Sequence, residues 1–185
     1  MTGDIHTRTG QDGILRSNEL IESVLARYDQ ELGVDAELYR NHVYRGLNYQ
    51  LRLLGKGEPS DAMALAWVAH DLGIWTANTF DYLAPSLALA EELAQDFSVD
   101  DADLVQAMVA FHHRLRPCPH PLVETFRRAD RTDAWRGRFR GRLGPTDVEE
   151  VVGAFPYCGF HTFLRQRMTA WVLRHPTRPF PMFRW

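Results

Sequence analysis

The run Leu65-Ala66-Trp67-Val68-Ala69-His70-Asp71-Leu72-Gly73-Ile74-Trp75 is the strongest constraint in the chain. Its apolar character calls for burial, yet it carries an imidazole and a carboxylate side by side. A bare carboxylate among apolar side chains is costly unless it is paired or bound to a metal ion. The same dipeptide also reads as an ordinary helix end, with a packed histidine and a solvated aspartate. What decides between the two is the set of groups that the rest of the chain can bring to His70 and Asp71.

With 185 residues the chain is long enough for one domain with a sizeable core. No run of about 18 apolar residues is present, which excludes a helical membrane span. Residues 1–13 are polar and lack the apolar segment of a secretory signal, so the expected location is cytoplasmic. Cys118 and Cys158 lie far apart in proline-containing segments. Their spacing makes neither a disulfide framework nor a zinc finger, and free thiols are expected. The net charge of −3 conceals an asymmetry. Residues 1–110 hold 7 Lys and Arg against 18 Asp and Glu, whereas residues 111–185 hold 14 against 6. The basic half is suited to an anionic partner. The acidic half argues against a broad nucleic-acid surface, which leaves a small anionic molecule as the expected partner.

Apolar residues recur at helical spacing along most of the chain. Ser17 is a plausible cap for a helix over 17–32, closed by Gly33. Asp35 opens a second to about residue 54, with Leu38, Val43, Leu47 and Leu51 as its apolar stripe. Ser60 starts a third, which ends at the His70-Asp71-Leu72-Gly73 break. Asp81 can cap a fourth if Pro85 lies in its first turn. Asp100 or Asp101 caps a fifth that reaches His112-His113. Further helices are expected over 122–135, 147–155 and 159–173. There is no convincing strand alternation and no repeat. The expected fold is an all-α single domain of seven to eight helices. Its expected bounds are 17–175, between a flexible tail over 1–16 and an irregular one over 176–185.

Four of these helices offer metal-type ligands: His42, the His70-Asp71 pair, His112 with His113, and Asp130. Adjacent residues on a helix do not face each other, so His70 and Asp71 converge only if the helix ends there and other helices complete the shell. Each residue also has a plainer role. His42 can be a packed histidine, and Asp130 a partner of Arg127, Arg128 or Arg131. One of His112 and His113 can pack while the other caps its helix end. The arginine run over 127–142 can be a solvated face. Trp67, Trp75 and Trp135 read as core residues.

The order His42…His70-Asp71…Asp130 resembles the signature of the HD-domain metal-dependent hydrolase superfamily. So do the flanking stretches Ala-His-Asp-Leu-Gly and Ala-Asp-Arg-Thr-Asp-Ala. The resemblance spans about residues 37–135. The run Asp81-Tyr82-Leu83-Ala84-Pro85-Ser86 is similar to that of small bacterial phosphohydrolase-like members. It implies an HD-type helical bundle in which His42, His70, Asp71 and Asp130 hold a divalent ion. Two imidazoles and two carboxylates suit Mn²⁺, Fe²⁺, Co²⁺ or Ni²⁺, with Mg²⁺ also possible. The implied activity is hydrolysis of a phosphate ester, most simply a small nucleotide-like one, by metal-activated water. Asp71 would bridge metal and water, and His113 or an arginine would steady the leaving phosphate. Arg127, Arg114 and His112 are the expected substrate contacts, with Arg116 a weaker one. Two-iron members use an extra histidine at the start of the helix after the His-Asp pair. Asp81 or Tyr82 fills that place here, which counts against a second ion, while others of their histidines lie where His112 and His113 stand, so one ion or two stays open. The same scaffold hosts iron oxygenases and a hydratase, and a nucleotide-sensing module without turnover is a further alternative.

Overall fold

A computed structural model describes residues 7–179, 181 and 182. Among them the regular structure is helical apart from one short two-stranded hairpin. The helices are α1 (Glu19–Arg27), α2 (Asp29–Leu32), α3 (Ala36–Leu54), α4 (Asp61–Ala69) and α5 (Gly73–Thr76), then α6 (Leu83–Asp96), α7 (Ala102–Phe111), α8 (Pro121–Ala134), α9 (Pro145–Ala154) and α10 (Phe160–Arg174). Eight of these have nine or more residues, in line with the expected count. None is long and apolar enough to cross a membrane.

The fold is organised around α3. It packs on α8 along one side and on α4 along another. Burial runs almost all round it from Leu38 to Leu51, wider than the apolar stripe expected from its spacing. Its buried amide side chains are each partnered, whereas Tyr49 Oη has no hydrogen-bond partner among the described residues. Asn41 donates to the Pro156 carbonyl at 2.9 Å, and Gln50 accepts from the Trp67 indole at 2.7 Å. A Cβ at Gly46 would collide with the Trp67 ring, so glycine there lets α3 and α4 approach. Trp67 in turn lies on Phe126 of α8, with ring centroids 4.2 Å apart. α4 is apolar throughout, and Ala62 to Ala69 are all buried. Ser60 caps it as expected, accepting from Met63 N–H at 3.3 Å.

Three local expectations are corrected. First, the segment expected as tail up to residue 16 contains a hairpin. β1 (Thr7–Thr9) pairs antiparallel with β2 (Leu15–Asn18), with a bulge between Arg8 and Thr9. Ile14 and Leu15 are buried, and Asn48 of α3 brackets the Leu15 backbone, accepting at 2.9 Å and donating at 3.0 Å. Second, Asn18 rather than Ser17 caps α1: it is the last residue of β2, and its Oδ1 accepts from Ile21 N–H at 3.1 Å. The helix expected over 17–32 also breaks at Tyr28. Third, Trp135 is 55% exposed, since α8 ends one residue before it. Trp67 and Trp75 are core, and Cys118 and Cys158 are free thiols, as expected.

The Gly46–Trp67 contact sets the α3–α4 distance and with it the separation of His42 and His70. Adding a methyl group there overpacks a rigid site, which typically costs about 1–3 kcal/mol. Gly46→Ala should lower the unfolding free energy by that amount. Gly57→Ala, where an added Cβ meets nothing, serves as the control in the same chemical-denaturation series.

Candidate metal centre

Four helices deliver the polar cluster. His42 comes from the middle of α3. His70 is the C-cap of α4, and Asp71 lies in the turn that follows. The helix ends here: His70 keeps helical backbone angles and donates its N–H to the Ala66 carbonyl, while Asp71 stands in the turn beyond it. Gly73 opens α5 instead of simply ending α4. A Cβ there would lie 2.7 Å from the Tyr82 carbonyl oxygen, so glycine allows the start of α6 to close over the turn. Ser86 Oγ accepts from Gly73 N–H at 3.0 Å and holds it. Asp130 comes from α8, and His112 from the C-cap of α7.

These groups meet in the interior. His42 Nε2 and His70 Nε2 are 3.1 Å apart. Asp71 Oδ2 lies 3.7 Å from the first and 3.5 Å from the second, and Asp130 Oδ1 lies 3.8 and 3.7 Å from them. His112 Nε2 is 3.6 Å from Asp71 Oδ1. His42, His70, Asp71, Asp130 and His112 are all buried. His42, His70 and Asp71 form one group able to hold a metal ion, and Asp71, His112 and His113 form a second.

The far side of each ring fixes its chemistry. His42 Nδ1 donates to Asp133 Oδ2 at 2.8 Å, His70 Nδ1 to the Trp67 carbonyl at 2.8 Å, and His112 Nδ1 to the Val109 carbonyl at 2.6 Å. A neutral imidazole carries one proton, so each Nε2 is then a bare lone pair. Two lone pairs 3.1 Å apart repel, and two carboxylates beside them do not relieve that. The arrangement calls for a cation shared at its centre, a proton or a metal ion. Asp71 Oδ1 and His112 Nε2 make the same point, since both are buried and lack a hydrogen-bond partner among the described residues.

The titration directions follow this charge pattern. Burial opposes a charged His70, but Asp71 and Asp130 outweigh it and push its pKa up to about 8. Burial likewise opposes the Asp71 and Asp130 anions, yet the surrounding histidines hold both carboxyls below their usual range. Burial and the neighbouring His112 push His113 down to about 3. Tyr82 Oη lies 2.6 Å from His113 Nε2, in the place where a metal-binding histidine was sought in the sequence.

Asp133 and Arg45 are the members that sequence reasoning missed. Asp133 is fully buried and accepts from Arg45 Nε at 2.6 Å and Nη2 at 2.8 Å, as well as from His42. Burial raises its carboxyl, but Arg45 and His42 outweigh that and hold it at about 2. The available signal was spacing: Asp133 follows Asp130 by three residues, and Arg45 follows His42 by three, so each pair shares a helix face. Phe160, the first residue of α10, stacks on the His42 ring at 4.2 Å.

The expected arginines are placed differently from the ligands. Arg127 is buried, with both ends of its guanidinium 2.8 Å from Glu124, and Nη1 donates to the Arg114 carbonyl at 3.1 Å. Its donors are occupied within the chain, which makes it a clamp on the 114–118 segment instead of an open anion site. Arg114 and Arg116 are exposed. No protein-family model, curated protein or solved structure matches the chain.

The Arg127 clamp gives a test of acid stability. Burial raises the Glu124 carboxyl, but hydrogen bonds from Arg127, Cys118 N–H and Arg128 outweigh it and lower its pKa from 4.5 to about 2. A lowered folded-state pKa stabilises above the unfolded value, and that contribution is lost as pH falls through the folded one. Glu124→Gln should therefore be less stable than the parent near neutral pH, and the gap should close between about 4.5 and about 2. Denaturant midpoints across that window measure it, and a constant gap would contradict the clamp.

Proposed function

We propose that this protein is a metal-dependent phosphohydrolase of the HD type, acting on a phosphate ester of a small nucleotide-like molecule. The observation that carries the reading is the pair of Nε2 lone pairs 3.1 Å apart, flanked by Asp71 and Asp130. His42, His70, Asp71 and Asp130 would hold the ion. A donor set of nitrogen and oxygen without sulfur suits Mn²⁺, Fe²⁺, Co²⁺ or Ni²⁺, with Mg²⁺ a poorer match. When bound, such an ion acidifies a water ligand and polarises a phosphoryl oxygen.

The chain's own residues supply the rest. Asp133 and the Trp67 carbonyl keep the His42 and His70 rings in one tautomer. Asp71 Oδ1, without another hydrogen bond, is the acceptor best placed to orient a water. Tyr82 sets the His113 ring, which is the group assigned to the leaving oxygen. Since Arg127 is held by Glu124, Arg114 takes over the contact to the phosphate, with His112 beside it.

A second reading is favoured by the group Asp71, His112 and His113. It would seat a second ion with Asp71 shared, as an iron oxygenase or a hydratase on this scaffold would require. Metal analysis of protein purified without added metal separates the readings when combined with phosphate release and O₂ consumption. The phosphohydrolase should release phosphate and keep its ion in His112→Ala. A two-metal oxygenase should consume O₂ and lose one of two ions in that variant.

His70→Ala and Asp71→Asn should lose bound metal and activity while keeping the helical circular-dichroism signal. Normal metal content in both would remove the site assignment. Asp133→Asn keeps the shape but weakens the support behind His42, and should reduce metal affinity by roughly 10–100-fold. Competition with a chelator of known affinity reads that change.

A further inference from the structure

The stretch after α8 reads Trp135-Arg136-Gly137-Arg138-Phe139-Arg140-Gly141-Arg142. It is exposed at both aromatic residues, 55% at Trp135 and 54% at Phe139, and their rings meet edge to face at 5.4 Å. All four arginines are exposed and none is in an ion pair among the described residues. That sets them apart from Arg45, Arg52, Arg127 and Arg128, which are paired with carboxylates.

The loop has a defined shape. Gly137 N–H donates to the Thr132 carbonyl at 2.8 Å, and Arg136 N–H to the Asp133 carbonyl at 3.0 Å. Arg136 accepts a left-handed backbone, φ +52°, to make that turn. Beside it lies a depression of about 230 Å³ lined by Trp135, Arg136, Arg138 and His161. Whole-ligand pockets run to roughly 300–1,000 Å³, so this one suits a single ring system, with attached groups lying outside. His161 Nε2 donates to the Asp133 carbonyl at 2.9 Å, which fixes the ring as a wall of the depression.

We propose that this loop and the adjoining depression bind a nucleotide unit, a heterocyclic base bearing phosphate, at a place separate from the metal centre. The base stacks on Trp135, and the phosphates meet Arg136 and Arg138. An aromatic face with unpaired guanidinium groups is the pairing by which proteins hold single nucleotides of a strand without reading sequence. The unit can come from a free nucleoside polyphosphate or from a single strand, and the chemistry of contact is the same.

Isothermal titration calorimetry of the full chain in EDTA, with ATP as the probe, tests this without a metal-loaded centre. ATP should bind with an affinity that falls as salt is raised. Trp135→Ala should weaken it by roughly tenfold, the size of a lost base–aromatic stack. Arg136→Ala with Arg138→Ala should weaken it further, and His70→Ala should leave it unchanged. Tripolyphosphate should bind more weakly than ATP. A short single-stranded oligoadenylate that binds more tightly than ATP, with the same loss in Trp135→Ala, assigns the site to a strand; weaker binding assigns it to the free nucleotide. Equal binding of ATP and tripolyphosphate, or no effect of Trp135→Ala, overturns the proposal. Loss of binding in His70→Ala alone would place ATP at the metal centre and overturn it as well. Because the titration contains no metal, its failure leaves the phosphohydrolase reading intact.

Discussion

The contact on which the cluster depends is the buried carboxylate of Asp133, shared between Arg45 and His42. One oxygen takes Arg45 Nε, and the other takes Arg45 Nη2 and His42 Nδ1. Both partners are fully buried, and α3 and α8 meet across them. A buried ion pair adds little net stability over an apolar pair of the same shape, because both charges leave water. An apolar replacement would serve the packing equally well. It would leave His42 free to carry its proton on either nitrogen. What the ion pair provides is orientation: Arg45 keeps Asp133 ionised, Asp133 keeps the proton on His42 Nδ1, and Nε2 therefore turns a lone pair toward His70.

Much of this cluster was legible in the sequence, because residue type and helical position are local properties. His42, His70, Asp71, Asp130, His112 and His113 could be named from helices whose existence follows from apolar spacing, and the structure brings them together. Asp133 was not, since it lies in an arginine-rich stretch where a carboxylate reads as a surface partner. Its real partners, His42 and Arg45, are 91 and 88 residues away. The hairpin was missed for a related reason. Strands of three and four residues carry too little alternation to register, and they are held by Asn48, 33 residues on. Arg127 shows the opposite failure. The three-residue spacing that links it to Asp130 equally links it to Glu124, and the closer, geometrically matched carboxylate took it.

The charge asymmetry of the chain also means something other than a single basic surface. Arg127 and Arg128 converge on Glu124, and Arg178 reaches Asp81 in the acidic half. These cations tie the second half of the chain to itself and to the first. Among the described arginines outside such pairs, four stand within seven residues in the loop after α8, where glycine and exposed aromatic residues alternate with arginine. Counting charges over half a chain locates the excess only coarsely; pairing decides which of them can meet a ligand.

The three histidines with inward lone pairs reach that state by two routes, and position in the helix dictates which. His70 and His112 are C-caps, and each donates Nδ1–H to the carbonyl three residues before it. The last carbonyls of a helix have no intrahelical donor, so a terminal histidine finds its acceptor already in place. His42 sits inside α3, where the carbonyls already accept helical N–H bonds, and its Nδ1 donates across to Asp133 of α8 instead. In an interior position a lone carboxylate itself needs a counter-charge, and Arg45 supplies it. In this cluster the histidine inside a helix thus has a buried carboxylate and a buried cation behind it, whereas the two at helix ends use backbone carbonyls of their own helices.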